Sequence, residues 1–207
     1  MDTQPVAVKR MSRPLRIILF ICGIIAIAVG ITQMLRGVTT IFGSGSSVAS
    51  KQLVQELNTA VSAANKSMLE GHPMFQKLLN DVDSQGLAKV RQEQKAVVQT
   101  VVDLFGRSAA QFILAAKKST EAAQQESSEN MKSYYALKAQ TYEFSVTALT
   151  INQEIARLVA DESIVNMEDL VAKAVEAGKR RDAAQKRSRE TEAKADAIIK
   201  AMKDNPK

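Results

Sequence analysis

Eight residues between positions 134 and 158 limit the fold of this chain more than any other feature. Tyr134, Leu137, Thr141, Phe144, Ala148, Ile151, Ile155 and Leu158 advance by alternating steps of 3 and 4, and only Thr141 among them is not apolar. Side chains spaced this way share one side of an α-helix, and an unbroken 3-4 alternation is the seam of helices supercoiled side by side. Strands need period 2 and favour aromatic clusters; with aromatics at 4% and Trp absent, the chain offers little for them.

The same spacing continues on both sides of this stretch. Val54, Leu57, Val61, Ala64 and Met68 predict a helix from about 48. Gly71-His72-Pro73 predicts a break in it, with Gly as a C-terminal cap and Pro in the first turn of a new helix. Met74, Phe75, Leu78, Leu79 and Val82 follow, and Asp83-Ser84-Gln85-Gly86 reads as a turn. Val90, Val97, Val101, Leu104 and Phe112 form the next stripe, widened by Val98, Val102, Phe105 and Ala109. So broad a face expects more than one neighbour. The last helix starts at Asn166, a capping residue, with Glu168 and Asp169 in the positive first turn. Met167, Leu170, Ala174 and Ala177 carry its seam, which weakens at Arg181, Ala184, Ser188 and Thr191 before Ile198 and Met202 restore it. The weak middle is expected to be loosely packed, exposed, or reserved for a partner.

The arms are 48–83 (broken at 71–73), 87–123, 129–161 and 166–203, with a tail at 204–207. Nearly equal arms joined by short turns predict an all-α fold, an elongated antiparallel four-helix bundle of coiled-coil-like packing. A three-helix coiled coil with a loose first arm is the alternative.

Ahead of the bundle lies a different kind of segment. Residues 17–35, IILFICGIIAIAVGITQML, hold no charge and are bracketed by Arg16 and Arg36. As a helix they would be about 28 Å long, close to the hydrocarbon thickness of a bilayer. The expected organisation is a basic tail at 1–16, one transmembrane helix at 17–35 acting as a signal anchor, and a Gly/Ser-rich linker at 36–47. Lys9, Arg10, Arg13 and Arg16 outnumber the nearest bases beyond the span, Arg36 and Lys51. That places the N-terminus in the cytoplasm and the bundle outside it, periplasmic in a Gram-negative cell. A cleaved signal peptide is the rival reading, through Ala26-Ile27-Ala28, but apolar residues continue on both sides of that site. Cys22 follows Ile21, where a lipoprotein site would carry a small residue.

Site chemistry is sparse. One Cys and one His leave no disulfide framework and none of the common metal-ligand sets, and no phosphate-loop or nucleophile-elbow pattern occurs. No cofactor and no catalytic residue is expected. His72 reads as a turn residue, and Tyr134, Tyr135 and Tyr142 read as core. Beyond residue 36 the chain holds 23 bases and 21 acids, a balance that speaks against nucleic-acid binding. The one charged feature is Lys179, Arg180, Arg181, Lys186, Arg187 and Arg189, within a stretch, 178–203, of nine bases and four acids. It reads as a solvated helix face or as a patch for anionic lipid or an acidic partner. The expected function is non-enzymatic: an integral membrane protein whose helix faces meet a protein partner or a second copy. A ligand-sensing bundle is the alternative.

Overall fold

The computed structural model describes residues 51–204, and the expected tail, membrane segment and linker at 1–47 lie outside them. The described residues form five helices and no strand: α1 (Lys51–Gln85), α2 (Leu87–Glu93), α3 (Lys95–Gln125), α4 (Glu129–Ala160) and α5 (Met167–Asp204). None of these helices is long and apolar enough to cross a membrane.

Side-chain pairings fix the directions of the long helices. Glu56 pairs with Lys118, Ala64 accepts from Ser108, and Phe75 meets Phe105, so α1 and α3 are antiparallel. Val102 accepts from Gln153 and Phe112 stacks on Tyr142, so α3 and α4 are antiparallel too. Lys138 pairs with Glu192 and Glu154 with Arg180, which sets α5 antiparallel to α4. The broad interfaces join α1 to α3, α3 to α4 and α4 to α5; α1 and α5 share no such interface. The start of α1 and the end of α5 therefore lie at the same end of the bundle.

The expected break at 71–73 is not there: α1 runs through Gly71, His72 and Pro73 as one helix. Pro73 removes the bond to the Leu69 carbonyl. Both residues stand on the exposed side, where water reaches that carbonyl. Gly71 is a close-approach residue rather than a cap. A Cβ there would meet Leu104 Cβ at 3.2 Å and Phe105 Cε1 at 3.3 Å, so its small size lets α3 come near. The glycine that turns the chain is Gly86, at φ 91° between α1 and α2. Where one helix is expected at 87–123, Gln94 divides it, with φ −121° and ψ 21°. Its side chain donates to Asp81 Oδ2 at 2.9 Å, tying the bend to α1.

Two side chains close the far end of the bundle. Arg91 on α2 donates to the carbonyls of Val159 and Ile164, each at 2.8 Å, and to that of Asp161. These belong to the last turn of α4 and the loop after it, where helical carbonyls lose their own partners. Asn166 Oδ1 then accepts from the Asp169 amide at 2.8 Å and caps α5.

The core between α1 and α3 is large and apolar: Leu57, Val61, Met68, Phe75 and Leu78 against Val98, Val101, Leu104, Phe105 and Phe112, all buried. Phe105 takes the edges of Phe75 (centroids 5.4 Å, 84°) and His72 (5.3 Å, 65°). On α4, Tyr134, Thr141, Ala148, Ile151 and Ile155 of the expected seam are buried, while Leu137, Phe144 and Leu158 are only half-buried. Tyr135, Lys138, Tyr142, Leu149, Asn152, Ala156 and Val159 are buried as well. Because α4 packs on both α3 and α5, its buried arc is wider than a two-helix seam, and its centre is shifted.

Candidate functional site

The middle of α5, expected to be weakly packed, is inside the protein. Ala177, Ala184, Ser188, Thr191 and Ala195 are buried against α4. Their burial corrects the reading of this stretch as loose or exposed: small side chains here belong to a helix face enclosed in the protein.

At its centre Lys138 Nζ donates to Glu192 Oε1 at 2.7 Å. The two side chains are 2% and 9% exposed. The ammonium also lies 5.4 Å from the centroid of the Tyr142 ring, within cation–π range. Tyr142 stacks on Phe112 at 5.8 Å and 20°, and Tyr134 meets Tyr135 edge-on at 5.2 Å. Ser188 Oγ approaches the Thr141 carbonyl at 3.4 Å. Glu192 Oε2 and the Tyr142 hydroxyl have no hydrogen-bond partner among the described residues.

The charges here are enclosed by the protein. Burial pushes the Tyr142 phenol far above its ordinary range, and nearby Glu192 adds to the effect. Burial also raises Tyr134, with the Lys138 charge opposing it. Sliding α5 by a residue would leave both charges buried and alone, so a pair this enclosed disfavours other registers of α5 on α4.

Five of the six basic residues singled out in the sequence, Lys179, Arg180, Lys186, Arg187 and Arg189, stand exposed on α5. Arg180 reaches Glu154 on α4, and Lys186 lies 3.9 Å from Glu190. Lys179, Arg187 and Arg189 have no ion-pair partner among the described residues. Arg181 leaves the patch. Its side chain is 13% exposed and pairs with Asp182 at 2.9 Å. Its charge also reaches His72 on α1: burial first, then Arg181, lower the imidazole to about 4. His72 is therefore neutral at pH 7, a half-buried helical residue against Phe105 rather than a turn residue.

Composition hid the Lys138–Glu192 pair, but spacing did not. Lys138 follows Tyr134 by 4 and precedes Thr141 by 3, and Glu192 follows Ser188 by 4 and precedes Ala195 by 3. Opposite charges at inner positions of consecutive antiparallel arms were the available signal. No group of His, Cys, Asp and Glu suited to a metal ion occurs among the described residues. No protein-family model matches the chain, and no curated protein or solved structure is detectably similar to it.

Proposed function

We propose that the chain is a single-pass membrane protein, anchored by residues 17–35, whose four long helices form one antiparallel bundle outside the cytoplasm and serve as a non-enzymatic scaffold. The observation that carries this reading is the division of labour on α5. Its inner face is small and latched to α4 by Lys138–Glu192, while its outer face carries bases with no partner in the bundle. A helix held firmly on one side and left charged on the other is suited to presenting a surface.

The anchor and its orientation have a direct test. Protease added to intact cells, after permeabilising any outer envelope, is expected to digest residues 51–204; full protection until lysis reverses the topology. For the scaffold, photo-crosslinkers at Ala183 and Ala193 on α5 are compared in intact membranes with crosslinkers at Ser62 and Lys66 on α1. All four positions are exposed. Adducts, to protein or to lipid, concentrated at the α5 positions are expected, and equal yields from both helices would sink the reading.

A second reading, a bundle that holds a small polar molecule between helices, draws on the unpartnered Tyr142 hydroxyl and Glu192 Oε2. Tyr142→Phe separates the two: a bundle that holds a guest through this hydroxyl loses stability, and a dry scaffold does not.

A further inference from the structure

The outward arc of α5 is uniform in charge over most of its length. Lys179, Lys186, Ala193 and Lys200 occupy one heptad column; Arg180, Arg187, Lys194 and Ala201 occupy a second. Ala183, Glu190 and Ala197 lie between them. These eleven positions are all exposed, and they hold six bases, four alanines and one acid. The other acids of this stretch are elsewhere: Asp182 pairs with Arg181, Glu192 is buried against Lys138, and Asp196 lies on another flank. From Lys179 to Lys200 the basic strip runs about 32 Å at 1.5 Å per residue.

We propose that this strip docks on the anionic headgroups of the membrane that anchors the chain, a proposal that rests on the anchor reading of residues 17–35. Three observations select lipid over an acidic protein. The strip has no aromatic or large apolar residue, whereas protein interfaces centre on such anchors and are depleted in Lys. Four of its six bases are lysines, compact point charges that suit a diffuse anionic layer better than bidentate pairing. The third is position. The end of α5 lies at the same end of the bundle as the start of α1, and only the fifteen residues of 36–50 separate Lys51 from the apolar run. Even fully extended they reach about 50 Å. If residues 17–35 are the anchor, this length tethers the bundle within reach of lipid, where each base would add about fivefold to the docking constant at moderate salt.

The test uses the full chain in vesicles of phosphatidylcholine, with or without a third of phosphatidylglycerol. Cys22, the only cysteine, is replaced by Ser, and a fluorophore is placed on Ala197→Cys in the strip. Shielding of the label from aqueous acrylamide is expected with anionic lipid only. It should vanish near 1 M salt, where the screening length is about 3 Å. The five-site variant Lys179→Gln, Lys186→Gln, Arg187→Gln, Lys194→Gln and Lys200→Gln should lose it. Exchanging the four lysines for Arg should keep it, which separates charge from any effect on folding. Equal accessibility in both lipids, with the chain resistant to carbonate extraction, overturns the docking and leaves the anchor standing; an acidic protein partner would give this result. Release of the chain by carbonate overturns the anchor, and the docking with it.

Discussion

Where α1 meets α3, large apolar side chains meet; where α4 meets α5, α5 contributes mostly alanine, serine and threonine around one enclosed Lys138–Glu192 pair. The buried side of α1 includes Leu53, Val54, Leu57, Val61, Met68, Phe75, Leu78 and Val82. The buried side of α5 has a single large apolar residue, Leu170. Burying a Leu, Val or Phe side chain contributes about 1.5–3 kcal/mol, so the first interface rests on area removed from water. The second has less of that to give. It relies on close approach of small residues and on one enclosed ion pair, which contributes little net energy and much positional selectivity. Stability and register are thus assigned to different helix pairs, and α5 is the long helix held least by burial.

The largest effect expected from this contrast is on the apolar side. Phe105 is fully buried and touches Phe75 and His72 edge-on. Phe105→Ala should lower unfolding stability by about 3–5 kcal/mol, read from the denaturant midpoint at constant slope. A loss under about 1 kcal/mol would mean that α1 and α3 do not carry the core.

The polar side should answer differently. Lys138→Met leaves Glu192 buried beside an apolar chain and should cost about 3 kcal/mol or more. Lys138→Met combined with Glu192→Leu removes both charges and should recover most of that loss, or exceed the parent. The double variant is then expected to show earlier hydrogen exchange in α5 than the parent, because area remains while the register lock is gone. A double variant as unstable as the single one would show that the pair supplies energy rather than register.

His72 tests the join between the two regions through pH. Its folded pKa is about 4 against 6.5 ordinarily, and the lowering comes from burial and then Arg181. The unfolded chain therefore takes up the proton first. The stability tied to a neutral His72 is complete above pH 6.5, is lost as pH falls from there toward 4, and changes no further below. The loss reaches about 3 kcal/mol at most. His72→Leu should flatten that part of the pH profile. An unchanged slope between pH 6.5 and 4 would mean that the imidazole is not held neutral in the folded state.

Local rules made part of this legible. Asn166 read as a cap and acts as one, because capping depends on residues within one turn. The helical character of 134–158 was plain from its period, but which side chains turn inward was not. Phe144 is half-buried and Lys138 is enclosed because α4 serves two neighbours, a fact no single helix encodes. Gly71 and Pro73 carried a strong local signal for a break, and contact with Leu104 and Phe105 overrode it. Ser188 and Thr191 looked like gaps in a seam, yet both are buried with their hydroxyls on the carbonyls of Thr141 and Arg187. Arg91 lies about seventy residues from the carbonyls it holds, beyond the reach of any short-range pattern.

The smallest expected effect concerns a single oxygen. The Tyr142 hydroxyl lies in the interior with no hydrogen-bond partner among the described residues, while its ring stacks on Phe112 and faces the Lys138 ammonium. A buried hydroxyl without a partner has lost water and gained nothing, so deleting it should not harm. Tyr142→Phe keeps the stacked ring and its cation–π face, and should leave stability unchanged or raise it by up to about 1 kcal/mol. Measured beside Phe105→Ala, it asks whether the α4–α5 side is a dry latch or a place built to hold something. A dry latch tolerates the change. A loss above about 1 kcal/mol would mean that the hydroxyl has a partner in solution, a bound water or a small polar molecule reaching Glu192 Oε2 as well. A thermal-shift screen of the parent against Tyr142→Phe then decides between them: a compound that stabilises only the parent favours the ligand-holding bundle, and none leaves a bound water in a scaffold.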